Sequence, residues 1–166
     1  MSDAVPETAA DAGWQPLPAR AARLDALQGL LGALMFPGLL VAGAWWALDL
    51  PGGLPVVLAW PLLCGLVGAR MAWRRTQRTR WRLDRDGLGL RRDLWWQRET
   101  RVPASRVQHL DVRRGPLQRR AGLATLVVHT AGSRFSAVVV AGLDEHDAEH
   151  LRDTLARQLD QDADAL

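Results

Sequence analysis

Two uncharged, mainly apolar stretches lie back to back near the start of the chain, Ala26–Leu48 and Leu50–Ala69, parted only by Asp49. A bilayer core about 30 Å thick is crossed by roughly 20 apolar residues of helix. Both stretches reach that length, the second when it runs on to Trp73 with Arg70 snorkelling toward the headgroups. Gly32, Pro37, Gly38, Gly43, Pro55, Pro61, Gly65 and Gly68 are scattered through them, a content that membrane helices tolerate better than soluble ones. Trp45, Trp46 and Trp73 lie at the ends, where amphipathic aromatics favour the interface. The pattern predicts a transmembrane helical hairpin. A buried soluble hairpin is disfavoured because the rest of the chain is too small to wrap it. A cleaved leader is disfavoured by Asp3, Glu7 and Asp11 and by the length of the apolar run.

From Thr79 onward the texture changes to short strands. Trp81, Leu83, Leu88 and Leu90 alternate around Asp86-Gly87, a two-residue hairpin signal. Read that way, Leu83 faces Leu90 and Arg82 faces Arg91, a like-charge pair that needs solvent or an anionic partner. Trp95–Arg101 fits a strand ended by Pro103, and Arg106–Arg113 another, with Gln108, Leu110 and Val112 on one face. Leu123–Thr130 and Ser133–Val140 flank Ala131-Gly132, so Val128 is expected to face Phe135, Leu126 to face Ala137 and Ala124 to face Val139. After Gly142 the period becomes helical: Ala148, Leu151, Leu155 and Leu159 form a stripe, with Asp144 as N-cap. Six or seven short antiparallel strands and one C-terminal helix suggest a small bent sheet or barrel plugged by that helix.

Charge sharpens this picture. All 21 basic residues are Arg. Between Arg70 and Arg120 there are 16 Arg against five acids, a balance of +11, whereas from Ala141 to the end eight acids face two Arg, a balance of −6. Arg20 and Arg23 precede the first span and the arginine run follows the second, while the connection around Asp49, Pro51, Gly52 and Gly53 has no basic residue. The positive-inside rule then puts both termini in the cytoplasm. The single Cys64 excludes an intrachain disulfide or a cysteine metal cluster.

Four spaced pieces carry a family likeness: Val102-Pro103-Ala104-Ser105-Arg106-Val107-Gln108-His109, Gly115-Pro116-Leu117-Gln118-Arg119-Arg120, Gly122-Leu123-Ala124-Thr125-Leu126 and Thr130-Ala131-Gly132. Over residues 24–158, hairpin included, the chain resembles YdbS-type bacterial membrane proteins with a bacterial pleckstrin-homology-like (PH-like) domain. The resemblance implies a mainly-β split barrel with a C-terminal helix, held beneath the bacterial inner membrane. Asp93 departs from it, standing where a turn Gly is expected before Leu94. The organisation expected is a cytoplasmic tail without fixed structure (1–23), a two-helix transmembrane hairpin (24–73), a cytoplasmic PH-like domain (74–160) and an acidic tail (161–166).

Candidate chemistry is sparse. His146-Asp147-Ala148-Glu149-His150 matches a zinc-protease pattern, but a helical wheel turns both His away from the apolar stripe. Gly87-Leu88-Gly89 has neither the third Gly nor the following helix of a phosphate loop. Ser105 and Ser133, with His109 or His129, lack a nucleophile elbow. No enzyme, cofactor or metal is expected. The candidate lipid- or partner-binding residues are Arg74, Arg75, Arg78, Arg113, Arg114, Arg119 and Arg120, which suit anionic headgroups or an acidic partner, and Trp95 and Trp96, one of which must leave the core. The bland reading of these arginines is a solvated basic surface that fixes topology. The partners expected are the bilayer, anionic lipid headgroups and another membrane protein. The resemblance points for the last to a larger relative with several copies of the domain. Nucleic acid is not expected beside a bilayer. A non-catalytic assembly role, in envelope stress or resistance, is the leading expectation, and an anionic-lipid-binding module the alternative.

Overall fold

The computed structural model describes residues 13–51, 53–84, 87–93, 96–130 and 137–164. The chain divides into two units, residues 18–77 and residues 1–17 with 78–166.

The first unit is helical. Helix α1 (Ala19–Ala33) runs through a π-helical turn (Leu34–Gly38) into α2 (Leu39–Ala47), and α3 (Gly53–Gln77) returns. Pro37 explains the wide turn, since it has no N–H for the regular ladder. Two helices, Ala19–Ala47 and Leu54–Gln77, are long and apolar enough to cross a membrane. Both extend beyond the stretches read from hydropathy, so Arg74 and Arg75 belong to the last turn of α3. The two helices meet through small residues. A Cβ on Gly29 would lie 2.6 Å from the Gly68 carbonyl oxygen, and one on Gly68 would lie 2.5 Å from that of Gly29. Beyond the apolar stretch, Thr76 Oγ1 donates to Asp25 Oδ2, tying α3 to α1. Leu27, Leu31, Phe36, Leu40, Leu62 and Leu66 are exposed, as lipid-facing residues are in a hairpin without its bilayer.

The second unit is a pair of antiparallel sheets. One has the order β1 (Gln15–Pro16), β2 (Thr79–Asp84), β3 (Gly87–Asp93), β4 (Gln97–Pro103); the other has β5 (Val107–Arg113), β6 (Leu123–Thr130), β7 (Ala137–Asp144). A short helix, α4 (Pro116–Arg120), joins β5 to β6, and α5 (Glu145–Asp164) follows β7. The core gathers Trp81, Leu88, Leu90, Leu126, Val128 and Val140 from the sheets around Ala148, Leu151 and Leu155 of α5. Each buried leucine contributes about 1.5–3 kcal/mol. Asp144 caps α5, its Oδ1 accepting from the His146 N–H at 3.0 Å.

The architecture is the one expected, but several details differ. The expected tail without fixed structure ends early: Trp14 is buried, Gln15 and Pro16 pair with Trp81 and Arg80, and Leu17 packs on the core. Trp14 lies over Gly89, where a Cβ would come within 3.2 Å of its ring, and Arg82 stacks on that ring at 5.1 Å. Residues 1–12 lie outside the described residues.

In the β2–β3 hairpin Leu83 faces Leu88 and Trp81 faces Leu90. The register is therefore two residues from the expected one, and the like charges opposed are Arg80 and Arg91. An even shift keeps the apolar face intact. Gly87 is paired within β3 rather than at the turn, and Asp86 lies outside the described residues. Glycine is required at Gly87 because φ is +131° and a Cβ would meet the Val102 carbonyl at 2.1 Å. Asp93 ends β3 without positive φ, so no turn glycine is needed there.

The β6–β7 register differs by three. Val128 faces Val138, Leu126 faces Val140 and Ala124 faces Leu143. Val140 is buried while Val139 is exposed, the reverse of the expected faces. The physical reason is that Ala137–Ala141 is apolar throughout, so alternation cannot choose a face. The expected loop Ala131-Gly132, with Ser133 and Phe135, lies outside the described residues. Bulges reset the alternation twice more. One, between Val107 and His109, turns Gln108 away from Leu110 and Val112; the other leaves Gly142, at φ +79°, as the extra residue of β7. Finally, α5 continues to Asp164, into the expected acidic tail.

Candidate interaction surfaces

The described candidate residues are divided between the two units. Arg74 and Arg75 are exposed on the last turn of α3, where cations suit the negative end of the helix dipole. Arg78, in the other unit, is exposed, and its carbonyl accepts from the Asp93 N–H at 3.1 Å, closing the end of β3.

Arg113, Arg114, Arg119 and Arg120 cluster around the β5–β6 connection, but with different employment. Pro116 begins α4, and the Gln118 side-chain oxygen accepts from the Gly115 N–H at 3.1 Å, which fixes the turn. Arg119 and Arg120 are exposed at the end of that helix, with Leu117 also exposed. Arg114 is turned inward onto α5. It pairs with Glu145 at 3.0 Å and with Glu149 in a shorter contact, so it acts as a clamp within the unit rather than as an outward-facing ligand group.

Arg113 belongs to a cluster that the sequence reading did not assemble. His109, Asp111 and Arg113 alternate along the outer face of β5, and His129 is the direct cross-strand partner of His109. His109 Nε2 is 2.9 Å from Asp111 Oδ1, His129 Nε2 is 3.6 Å from Asp111 Oδ2, and Arg113 donates to Asp111 Oδ2 at 3.2 Å. The Arg113 hydrogen bond is the main cause that holds the Asp111 carboxyl below the usual carboxylate range, with His109 adding to it. The signal was the i, i+2, i+4 spacing of polar residues on one strand, obscured by the bulge just before it. On this strand face His109 and Arg113 are exposed and Asp111 and His129 half-buried. Among the described residues, no group of three His, Cys, Asp or Glu is placed to hold a metal ion. His146 and His150 lie on the exposed side of α5, away from the stripe, as the helical wheel requires.

Trp96 is 87% exposed at a bend, and the strand begins at Gln97, two residues later than expected. Trp95 lies outside the described residues. Beyond the bend, Arg98 is the cross-strand partner of Arg92, on the same face as the Leu90–Thr100 pair. Arg92 reaches to the other sheet and donates to the Val139 carbonyl at 2.8 Å. This contact, too, was missed, because it depends on the β7 register.

Two apolar helices, two small antiparallel sheets and a capping helix define a membrane protein with a PH-like domain. The chain belongs to the bacterial PH domain family, which matches residues 22–159. It is similar to the UPF0699 transmembrane protein YdbS of Bacillus subtilis (strain 168), with 39% identity over 56 residues, 34% of this chain. The match spans about a third (33%) of that relative's length. No solved structure matches the chain.

Proposed function

We propose that the protein is a non-catalytic assembly module of the bacterial inner membrane, both termini in the cytoplasm, whose PH-like domain engages another membrane protein. The orientation rests on the arginines that flank the hairpin and are missing from its Asp49 turn. The observation that carries the assembly reading is Trp96, a large aromatic 87% exposed beside Arg98. Aromatic and Arg side chains dominate binding energy at protein interfaces. A larger relative with several copies of the domain is the partner that best fits, in envelope stress or resistance.

The test is a mild-detergent pull-down of the full-length protein from its native membrane, followed by mass spectrometry of proteins and lipids. A stoichiometric membrane protein that is lost with Trp96→Ala supports the reading. Recovery of the protein alone, or a partner indifferent to that substitution, overturns it.

Anionic lipid is a second reading, favoured by Arg119, Arg120 and exposed Leu117 on α4. Each well-placed Arg near an anionic surface contributes about 1 kcal/mol. Enriched anionic lipid in the pull-down, lost with Arg119→Glu and Arg120→Glu, would favour it.

A further inference from the structure

Few large apolar side chains of the PH-like unit are exposed. Among its described residues they are Trp96, Val139 and Leu117, the last 46% exposed. Leu117 is set apart by its neighbours. It follows exposed Pro116 and precedes exposed Arg119 and Arg120 within the five residues of α4.

We propose that the tip of α4 is a bilayer-inserting wedge: Pro116 and Leu117 enter the acyl boundary of an anionic membrane, and Arg119 and Arg120 stay at its phosphates. The inference rests on the lipid reading and adds the mode of engagement, leaving Trp96 to the partner protein.

The charges carry it first. Arg113 is engaged by Asp111 at 3.2 Å, and Arg114 holds both Glu145 and Glu149. Glu145 lies just past α4, its N–H donating to the Gly122 carbonyl at 3.1 Å. With those acids taken, Arg119 and Arg120 form no ion pair among the described residues. On the cytoplasmic side, where the proposed orientation puts the unit, the leaflet is anionic and attracts such cations.

Geometry carries it second. Gln118 turns onto β6, its Nε2 donating to Thr125 Oγ1 at 3.0 Å while its Oε1 accepts from the Gly115 N–H at 3.1 Å. The other four residues of α4 are all exposed. Apolar and cationic side chains therefore leave the fold together, as they do in elements that lie in a membrane interface. Arginine suits the flanks, since its stem lies along apolar surface while the guanidinium stays among the headgroups.

Third, the turn is built beforehand. Pro116 fixes the first helical position, and the Arg119 N–H donates to the Gly115 carbonyl at 2.9 Å. Little ordering is then required when the turn meets the membrane. Charge attraction alone would need neither Leu117 nor Gln118.

The test uses full-length protein reconstituted into vesicles of phosphatidylcholine, alone or mixed equally with phosphatidylglycerol. Cys64→Ala removes the native thiol, and Leu117→Cys carries bimane, a small apolar fluorophore. In the mixed vesicles its emission should shift to the blue and be quenched by lipid spin-labelled near the glycerol end of the acyl chain. Bimane at Asp153→Cys, an exposed position of α5, should stay wet in both. Arg119→Glu with Arg120→Glu should lower the ratio of inserted to wet label at least about tenfold. Gln118→Ala, which changes no charge, should lower it at least about threefold. In unlabelled protein, hydrogen exchange across Leu117–Gly122 should slow in the mixed vesicles, and Leu117→Ser should undo that slowing.

A label at Leu117→Cys as wet as that at Asp153→Cys, or equally dry in both vesicles, overturns the inference. So does indifference to Gln118→Ala and Leu117→Ser while the arginine pair is still required, which leaves the lipid reading standing as charge attraction alone. If Arg119→Glu with Arg120→Glu changes neither the quenching nor the lipid recovered in the pull-down, the lipid reading falls as well.

Discussion

Gly68→Val tests how the hairpin is held. Ordinary contact begins at 3.4 Å, whereas a Cβ at Gly68 would lie 2.5 Å from the Gly29 carbonyl and 2.6 Å from the Ala33 Cβ, a shortfall of about 0.8–0.9 Å. Both obstacles are held by a helix backbone, so the helices must part rather than a side chain swing away. A gap of about 1 Å forfeits a quarter to a half of each contact's 0.1–0.2 kcal/mol, or ~1–2 kcal/mol over on the order of 20 to 40 atom pairs. Overpacking measured in other cores costs a similar ~1–3 kcal/mol. Gly32→Val is the matched control, because nothing lies within 4 Å of a Cβ there. Both substitutions carry the same propensity change, so the difference isolates packing. Unfolding by sodium dodecyl sulfate from mild-detergent micelles, followed by tryptophan fluorescence, should show Gly68→Val destabilised by about 1–3 kcal/mol relative to Gly32→Val. Equal midpoints would refute the close approach at Gly29 and Gly68.

The remaining predictions concern the PH-like unit. Arg114→Ala should weaken the attachment of α5 by roughly 1 kcal/mol, the scale of partly exposed ion pairs, read as faster hydrogen exchange in the helix's first turns. It should leave liposome binding unchanged, unlike Arg119→Glu with Arg120→Glu. Asp111 has a depressed carboxyl pKa in the folded state. Its contribution is therefore present above the usual carboxylate value and lost as pH falls through the lowered one. Asp111→Asn should lower stability at neutral pH and flatten its dependence on pH in that acid window, so that wild type and variant converge at low pH in denaturant titrations from pH 2 to 7.

The helices were legible because length and missing charge suffice, whatever packs against them. Ala148, Leu151 and Leu155 were legible for a related reason: a periodic stripe on a charged helix has one way to face a core. The strands were harder. Local alternation holds only between bulges, and Gln108 and Gly142 each reset it. The uniform Ala137–Ala141 run carried no alternation at all, which reversed the inner and outer faces of β7. Trp14 was hidden by its small, acidic, proline-containing surroundings, since its binding notch at Gly89 is made by residues far along the chain. Of the candidate residues, the basic Arg119–Arg120 loop could be read directly, whereas strand alternation required one of Trp95 and Trp96 to leave the core without saying which. The inward turn of Arg114 and the reach of Arg92 to Val139 depend on tertiary placement that no local pattern encodes.

Gln15 pairs with Trp81, 66 positions later (81 minus 15), and the whole helical hairpin lies between them. The PH-like unit is thus discontinuous in sequence, which orders its assembly in time. At about 5–20 residues per second, the ribosome emits β1 roughly 3–13 seconds before β2. Through that interval Trp14 has no notch to occupy, because Gly89 and Arg82 have not been made. Both helices are therefore synthesised ahead of the unit's completion, and the unit can close only after the whole hairpin has been made. A fragment begun at residue 74 would skip that step and leave the β2 edge and the Gly89 notch bare.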